Sequence, residues 1–421
     1  MDIYQIKGGI PLKGEVQISG AKNAALPIIV GSLLAKGKTT LTNIPDLQDI
    51  RTILKVIECL GAKTNFNPTK NILQIEIDSI KNNQVPYDLV KTMRASIYVM
   101  GPLLAKVGEA DVSLPGGCAI GERPIDMHLK GFEKMGAEIN LEHGYVKARV
   151  KKLTGARITM KKISVGTTAN LMFAAVLARG KTVLENCALE PDIVDLGNFL
   201  IKMGAKISGL GTETIEIIGV KELKPVTYRI IPDRIEAGTF LLAGAVTKGN
   251  IKITKTIPKD LEALINVLKE IGFKIKKGKN WVSLKASENV KGVVIKTEPF
   301  PGFPTDLQAP TMSLLMTLPK VSVIIETIFE NRYTHVAELK RMGADILIED
   351  KVAIIKGGAK LSSAPVMMPD LRAGAALIIA ALGIKGKTEI RRIYHSDRGY
   401  EKLPLKLKKL GAKIERIPEK N

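Results

Sequence analysis

Six glycines, Gly61, Gly136, Gly204, Gly272, Gly343 and Gly411, each follow an apolar helix-like stretch and precede an alternating strand-like one. The intervals between them are 75, 68, 68, 71 and 68 residues. A period of that size means that one supersecondary unit has been built six times, which constrains the fold more than any composition does. It also supplies an internal control. What all six repeats share is scaffold, and what one repeat carries alone is a candidate for function.

Leu47, Ile50, Ile53, Leu54, Ile57 and Leu60 recur at three-to-four spacing. That spacing predicts an amphipathic helix with Gly61 as its C-terminal stop. The same pattern ends at Met135, Met203, Ile271, Met342 and Leu410, and strands such as 137–141 and 344–348 follow. A more apolar helix, rich in small residues, opens each repeat over 24–35, 95–105, 169–178, 237–246, 307–316 and 373–382. Its low polarity predicts burial on most sides. None of these runs has the roughly 18 uninterrupted apolar residues that a membrane crossing needs, and no secretory n-region precedes them. A turn and strand come next, over 38–43, 111–114, 182–185, 250–254, 321–326 and 388–392. Each repeat therefore reads helix, strand, helix, strand, strand. The sixth stops at Glu415 without its closing strand, while unassigned strands at 3–6 and 15–18 open the chain. The N-terminus is expected to complete the last repeats.

A chain of 421 residues exceeds the ~250–300 at which a single core stops growing, so two domains of three repeats are expected, divided near Pro232. An apolar content of 45% suffices for two cores, and a mean hydropathy of +0.10 is that of a soluble protein. Cys59, Cys118 and Cys187 show no paired spacing, which fits a reducing cytoplasm. The net charge of +21 invites a nucleic-acid reading. Against it, the lysines are spread over every helix, and aromatic residues make up only 4%, which leaves few platforms for stacking bases. A lysine-rich solvated surface that draws in anionic metabolites is the expectation, with no nucleic-acid or membrane partner.

Three Gly-Lys-Thr triplets, at Gly37, Gly180 and Gly386, suggest a phosphate-binding loop. That loop needs four residues between its glycines and a helix after the lysine. Gly31 and Gly37 are separated by five, and a strand follows, so recurrence marks the triplets as turns. The repeats differ instead where their first helices start. Lys22, Arg94 and Arg372 lie there, although a cation beside the positive end of a helix costs roughly 0.3–1 kcal/mol unless an anion sits nearby. Helix N-termini are themselves anion sites, so several basic ones brought together would form an anion-seeking cleft. Solvated surface cations are the alternative. Asp233 and Asp306 lie at two further starts and Asp370 at the same start as Arg372, as N-caps or as functional carboxylates.

The second repeat carries a longer loop over 115–126. Leu114 lies 22 residues before Gly136, whereas Asn43 and Asn186 each lie 18 before their glycines. A glycine-rich insertion holding a cysteine is where function tends to live. Cys118 is either an incidental thiol or, with Arg123 nearby to lower its pKa, a nucleophile or proton donor. Cys59 and Cys187 read as small core residues. His395 to Tyr400 occupies the equivalent loop of the sixth repeat, and Glu330-Asn331-Arg332 that of the fifth, so arginines recur there. No histidine has metal-ligand spacing, and neither metal nor cofactor is expected.

Gly20 to Ala24, Lys91 to Ser96, 114–124, Pro304-Thr305-Asp306, Phe329 to Arg332, Asp370-Leu371-Arg372 and Asp397 to Tyr400 together resemble the enolpyruvyl transferases that act on UDP-N-acetylglucosamine. The resemblance runs through nearly the whole chain. It implies two similar inside-out α/β domains, each of three repeated units with approximate threefold symmetry, facing each other across a cleft. One domain would be 1–21 with 232–421 and the other 22–231. The related transferase of the shikimate pathway shares the fold but does not use the cysteine loop, so 115–124 separates the two.

The resemblance further implies transfer of the enolpyruvyl group of phosphoenolpyruvate to the sugar 3-hydroxyl with release of phosphate. These two small molecules are the expected partners. Cys118 matches the family's proton donor, and Asp306 the group that receives the hydroxyl proton. Lys22, Asn23, Arg123, Arg332, Arg372 and Arg398 match the phosphoenolpyruvate site. The nucleotide sugar would be held by Asn23, Arg94, Arg123, Pro124, Ile125, Asp126, Met127, Lys162, Ile163, Ser164, Val165, Gly166, Asp306 and Ile328.

Overall fold

A computed structural model describes residues 2–91, 93–114 and 125–419, with the side chain of Arg94 outside the description. The six repeat glycines all have positive φ, from 88° at Gly343 to 120° at Gly272. Each closes an amphipathic helix by the same pair of bonds. At the first, Gly61 N donates to Glu58 O at 2.9 Å and Ala62 N to Ile57 O at 3.1 Å. The second bond recurs from Ala137, Ala205, Phe273, Ala344 and Ala412. This is a Schellman stop, whose left-handed position glycine fills without a Cβ penalty. The period in the sequence is thus a period of helix stops. Gly37, Gly180 and Gly386 also have positive φ, and strands follow them at Gly37–Thr42, Lys181–Glu185 and Gly386–Arg391.

The described residues form six four-stranded sheets, one per repeat. Three strands of each match the sequence reading, and in five of the six the fourth is a two- or three-residue parallel strand that the reading omitted. Gln84–Val85 leaves the first repeat and pairs with Glu109–Ser113 of the second; Arg157–Thr159 leaves the second and pairs with Lys181–Glu185 of the third. Thr227–Arg229 leaves the third and returns to Gly37–Thr42 of the first, which closes a ring. Two or three residues are too few to show alternation, so this strand is invisible without its partner.

The N-terminus plays both closing roles in the other ring. Asp2–Gly8 lies between Gly386–Arg391 and Lys413–Pro418 as the missing strand of the sixth repeat. Lys13–Gln17 pairs with Asn250–Thr254, so it joins the fourth repeat rather than a late one. The expectation that the N-terminus completes the last repeats is corrected to that extent.

The described residues divide into two compact domains, 2–19 with 232–419, and 20–91 with 93–114 and 125–231, each with its own apolar core. In the first, the helices Arg234–Val246, Gln308–Leu315 and Leu371–Gly383 pack on one another and are almost wholly buried, with the sheets outside. In the second, Lys22–Gly31, Met100–Lys106 and Val165–Ala175 take the central place. Several inner helices begin two to four residues before the apolar runs do, because their first turns carry the polar residues that matter below. No helix among the described residues is long and apolar enough to cross a membrane.

Candidate active site

In the domain of residues 2–19 and 232–419, three inner-helix starts carry Pro-Asp, Pro-Thr and Pro-Asp. Asp233 caps its helix, accepting from Ile235 N at 2.7 Å and Glu236 N at 3.0 Å. Asp370 does the same for Arg372 N at 2.8 Å and Ala373 N at 3.0 Å. Asp306 does not cap. It lies one residue later, inside the 3-10 turn Thr305–Leu307, and its carboxylate meets two arginines. Arg332 Nη2 donates to Oδ1 at 2.7 Å, and Arg372 Nη2 to Oδ2 at 2.8 Å. Three predicted site residues, from the fifth and sixth repeats, thus form one cluster.

Both arginines are buried, with Arg332 4% and Arg372 5% exposed. Burial works against the charge on Arg372, but Asp306, the Tyr400 hydroxyl and Asp233 outweigh it and raise its pKa above the ordinary value. Arg372 Nη1 also donates to the Tyr400 hydroxyl at 3.1 Å, and Tyr400 meets Thr239 Oγ1 at 3.0 Å. Burial in turn pushes the Tyr400 phenol up, so it stays a neutral hydroxyl.

Glu326, at the end of an apolar strand, is a residue the sequence reading passed over. It is 1% exposed and accepts from Thr297 Oγ1 and Thr305 Oγ1, both at 3.0 Å, and from Ile328 N at 2.9 Å and Phe329 N at 3.2 Å. One carboxylate therefore fixes the residue before Asp306 and the segment carrying Ile328 and Arg332. The available signal was an acid closing a strand whose counterparts close on neutral or basic residues in repeats one, four and six. Arg398 is half-buried in the 3-10 helix Ile393–Arg398 of the same domain.

The other domain holds the remaining described residues of the predicted site. Lys22 opens the inner helix Lys22–Gly31 and is 8% exposed, with Nζ 3.2 Å from Asp49 Oδ2. Asp49 supplies the anion that a cation at a helix N-terminus requires. Asn23 beside it is exposed. Arg94 opens the 3-10 helix Arg94–Val99. Ser164 caps Val165–Ala175, accepting from Thr167 N at 3.2 Å, and Lys162 and Ile163 lead into it exposed.

Ile125, Asp126 and Met127 lie at the start of the helix Asp126–Lys134, and His128 ties that helix to Val165–Ala175. The His128 ring is buried, with Nδ1 3.1 Å from Asn170 Nδ2, and a Cβ at Gly166 would stand 3.5 Å from its Cε1 and Nε2. The two segments assigned to the nucleotide sugar, 125–127 and 162–166, are thus adjacent through a histidine that the sequence reading left without a role. Cys118, Arg123 and Pro124 lie outside the described residues. Cys59 and Cys187 are not activated: burial raises both thiols, Cys187 to about 11. No cluster among the described residues could hold a metal ion.

Inner helices inside outer sheets, buried arginines around a carboxylate in one domain and a cation at a helix start in the other suit a protein that binds anionic ligands. Comparison with known proteins narrows the class. The family model of EPSP synthase (3-phosphoshikimate 1-carboxyvinyltransferase) matches residues 6–407. The UDP-N-acetylglucosamine 1-carboxyvinyltransferase of Geotalea uraniireducens is 54% identical, covering 100% of both chains. That of Caldanaerobacter subterraneus subsp. tengcongensis is 55% identical over 98% of this chain and 99% of its own. Among solved structures, the enolpyruvyl transferase NikO from Streptomyces tendae superposes with a TM-score of 0.89 at 25% identity, over 99% of this chain and 98% of that one. EPSP synthase from Acinetobacter baumannii gives 0.76 at 18% identity, over 99% and 100%, a likeness of fold. The chain belongs to the enolpyruvyl transferase family, and within it to the UDP-N-acetylglucosamine 1-carboxyvinyltransferases.

Proposed function

We propose that this protein moves the enolpyruvyl group of phosphoenolpyruvate to the 3-hydroxyl of UDP-N-acetylglucosamine and releases phosphate, the first committed step of peptidoglycan precursor synthesis, in the cytoplasm. The observation that carries the reading is full-length identity above one half to relatives of that activity. The Asp306–Arg332–Arg372 cluster is the chemistry such a reaction requires.

The donor carbon C3 takes a proton, C2 becomes cationic and bonds to the sugar oxygen, and the hydroxyl proton goes to a base. Loss of the C3 proton and of phosphate then restores the double bond. Cys118 gives the proton to C3, and Asp306 receives the hydroxyl proton, a role that needs a carboxylate within hydrogen-bond reach. Lys22, Arg123 and Arg398 bind the phosphate, where charge builds as it leaves, and Asn23 lines the phosphoenolpyruvate site beside them. Arg332 and Arg372 hold the carboxylate or the developing charge. The sugar nucleotide takes Asn23, Arg94, 123–127, 162–166, Asp306 and Ile328. Its diphosphate suits the start of Val165–Ala175, whose first turn holds no acid.

A phosphate-release assay with each substrate omitted in turn tests the reading. Release is expected only with both substrates present and is lost in Cys118→Ala. Release with phosphoenolpyruvate alone, or none with both, would reject it.

A further inference from the structure

A guanidinium presents a planar fork of donors that matches a carboxylate at two points. Neither arginine offers Asp306 that fork. Arg332 gives it Nη2, while its buried Nε has no hydrogen-bond partner among the described residues. Arg372 divides its donors between Asp306 Oδ2 and the Tyr400 hydroxyl. Leaving a buried charged donor unfilled is costly, so Arg332 is poised for a better acceptor. The Asp306 side chain is 27% exposed against 4% and 6% for the two arginine side chains, which makes it the member of the cluster that an incoming ligand meets first.

We propose that Asp306 is an internal stand-in for the carboxylate of the enolpyruvyl donor. The donor's carboxylate takes Arg332 and Arg372 from it, and that exchange frees an Asp306 oxygen to receive the sugar hydroxyl proton. No bond is made or broken in the exchange: charge-assisted hydrogen bonds to one carboxylate are replaced by those to another. The base is therefore masked while the donor is absent, and donor binding is weakened by the competition. The identity of the incoming acid rests on the enolpyruvyl-transfer reading, whereas the masking rests on the cluster alone.

Titration calorimetry with phosphoenolpyruvate tests this on a Cys118→Ser background, so that the Cys118 thiol, a nucleophile or proton donor by the sequence, cannot react with the ligand. Asp306→Asn removes the internal anion with little change of shape, and Asp306→Ala removes the side chain's oxygens as well. Both should bind phosphoenolpyruvate about tenfold more tightly than the background protein, while losing turnover in a Cys118-intact chain. Inorganic phosphate should show no such gain, and adding Arg372→Met should erase it. Equal or weaker binding by both folded variants, or the same gain for inorganic phosphate, would overturn the proposal. If the unaltered chain releases no phosphate with both substrates yet the gain persists, the transfer reading fails and the masked carboxylate site stands.

Discussion

Asp233, Asp306 and Asp370 look interchangeable at the starts of three helices, and one residue of offset separates their roles. Asp233 and Asp370 follow a proline directly and cap; Thr305 takes that position in the fifth repeat and turns its hydroxyl to Glu326, so Asp306 points elsewhere. The offset was legible in the sequence. The arginines it meets were legible only as candidates, because they come from 26 and 66 residues away. Another residue-scale consequence belongs to His335, wholly buried with Nε2 3.2 Å from Met312 Sδ. Burial lowers its pKa from 6.5 to about 4. The folded ring stays neutral in that window while the unfolded chain takes up a proton, so stability falls as pH drops from 6.5 towards 4. The contribution is on the order of 3 kcal/mol at most. Urea midpoints should therefore decline less between pH 7 and pH 4.5 in His335→Gln than in the unaltered chain. Equal declines would show that His335 is not the group responsible.

At the scale of elements, the same Schellman stop is used six times, but its surroundings differ. A Cβ at Gly204 would meet nothing within 4 Å, and at Gly272 it would stand 2.3 Å from Asn289 O. Gly204→Ala should thus cost only the left-handed strain, about 1 kcal/mol. Gly272→Ala should cost more, because a backbone oxygen cannot be moved aside as a side-chain end can. Unfolding free energies of the two variants check the contrast, and equal losses would contradict it. The helices around these stops were readable because their apolar faces repeat every three to four residues over several turns. The short parallel strands were not, since what defines them is the neighbouring repeat.

At the scale of the molecule, each domain is a ring of three repeats, and one ring is closed by the first seventeen residues. Asp2–Gly8 bonds to strands on both sides, at 386–391 and 413–418, near the end of the chain. Deleting residues 1–8 would bare two strand edges and the buried Tyr4 and Ile6 positions. The truncated chain should show rapid protease cleavage within 232–419 while 20–231 stays protected. Uniform protection across both would mean that the ring does not need its closing strand.

The number of repeats, the helix stops between them, the inner and outer helices and the residues that break the pattern can all be read along the chain. These follow from local rules: a left-handed position wants glycine, and a buried helix wants small apolar residues. Tertiary structure decided which carboxylate caps and which binds arginine, that Asp49 faces Lys22, that Glu326 organises the segment before Arg332, and that His128 joins 125–127 to 162–166. Those outcomes depend on charges and rings brought together across long stretches of chain, and the energy of such a contact exists only once the repeats have packed.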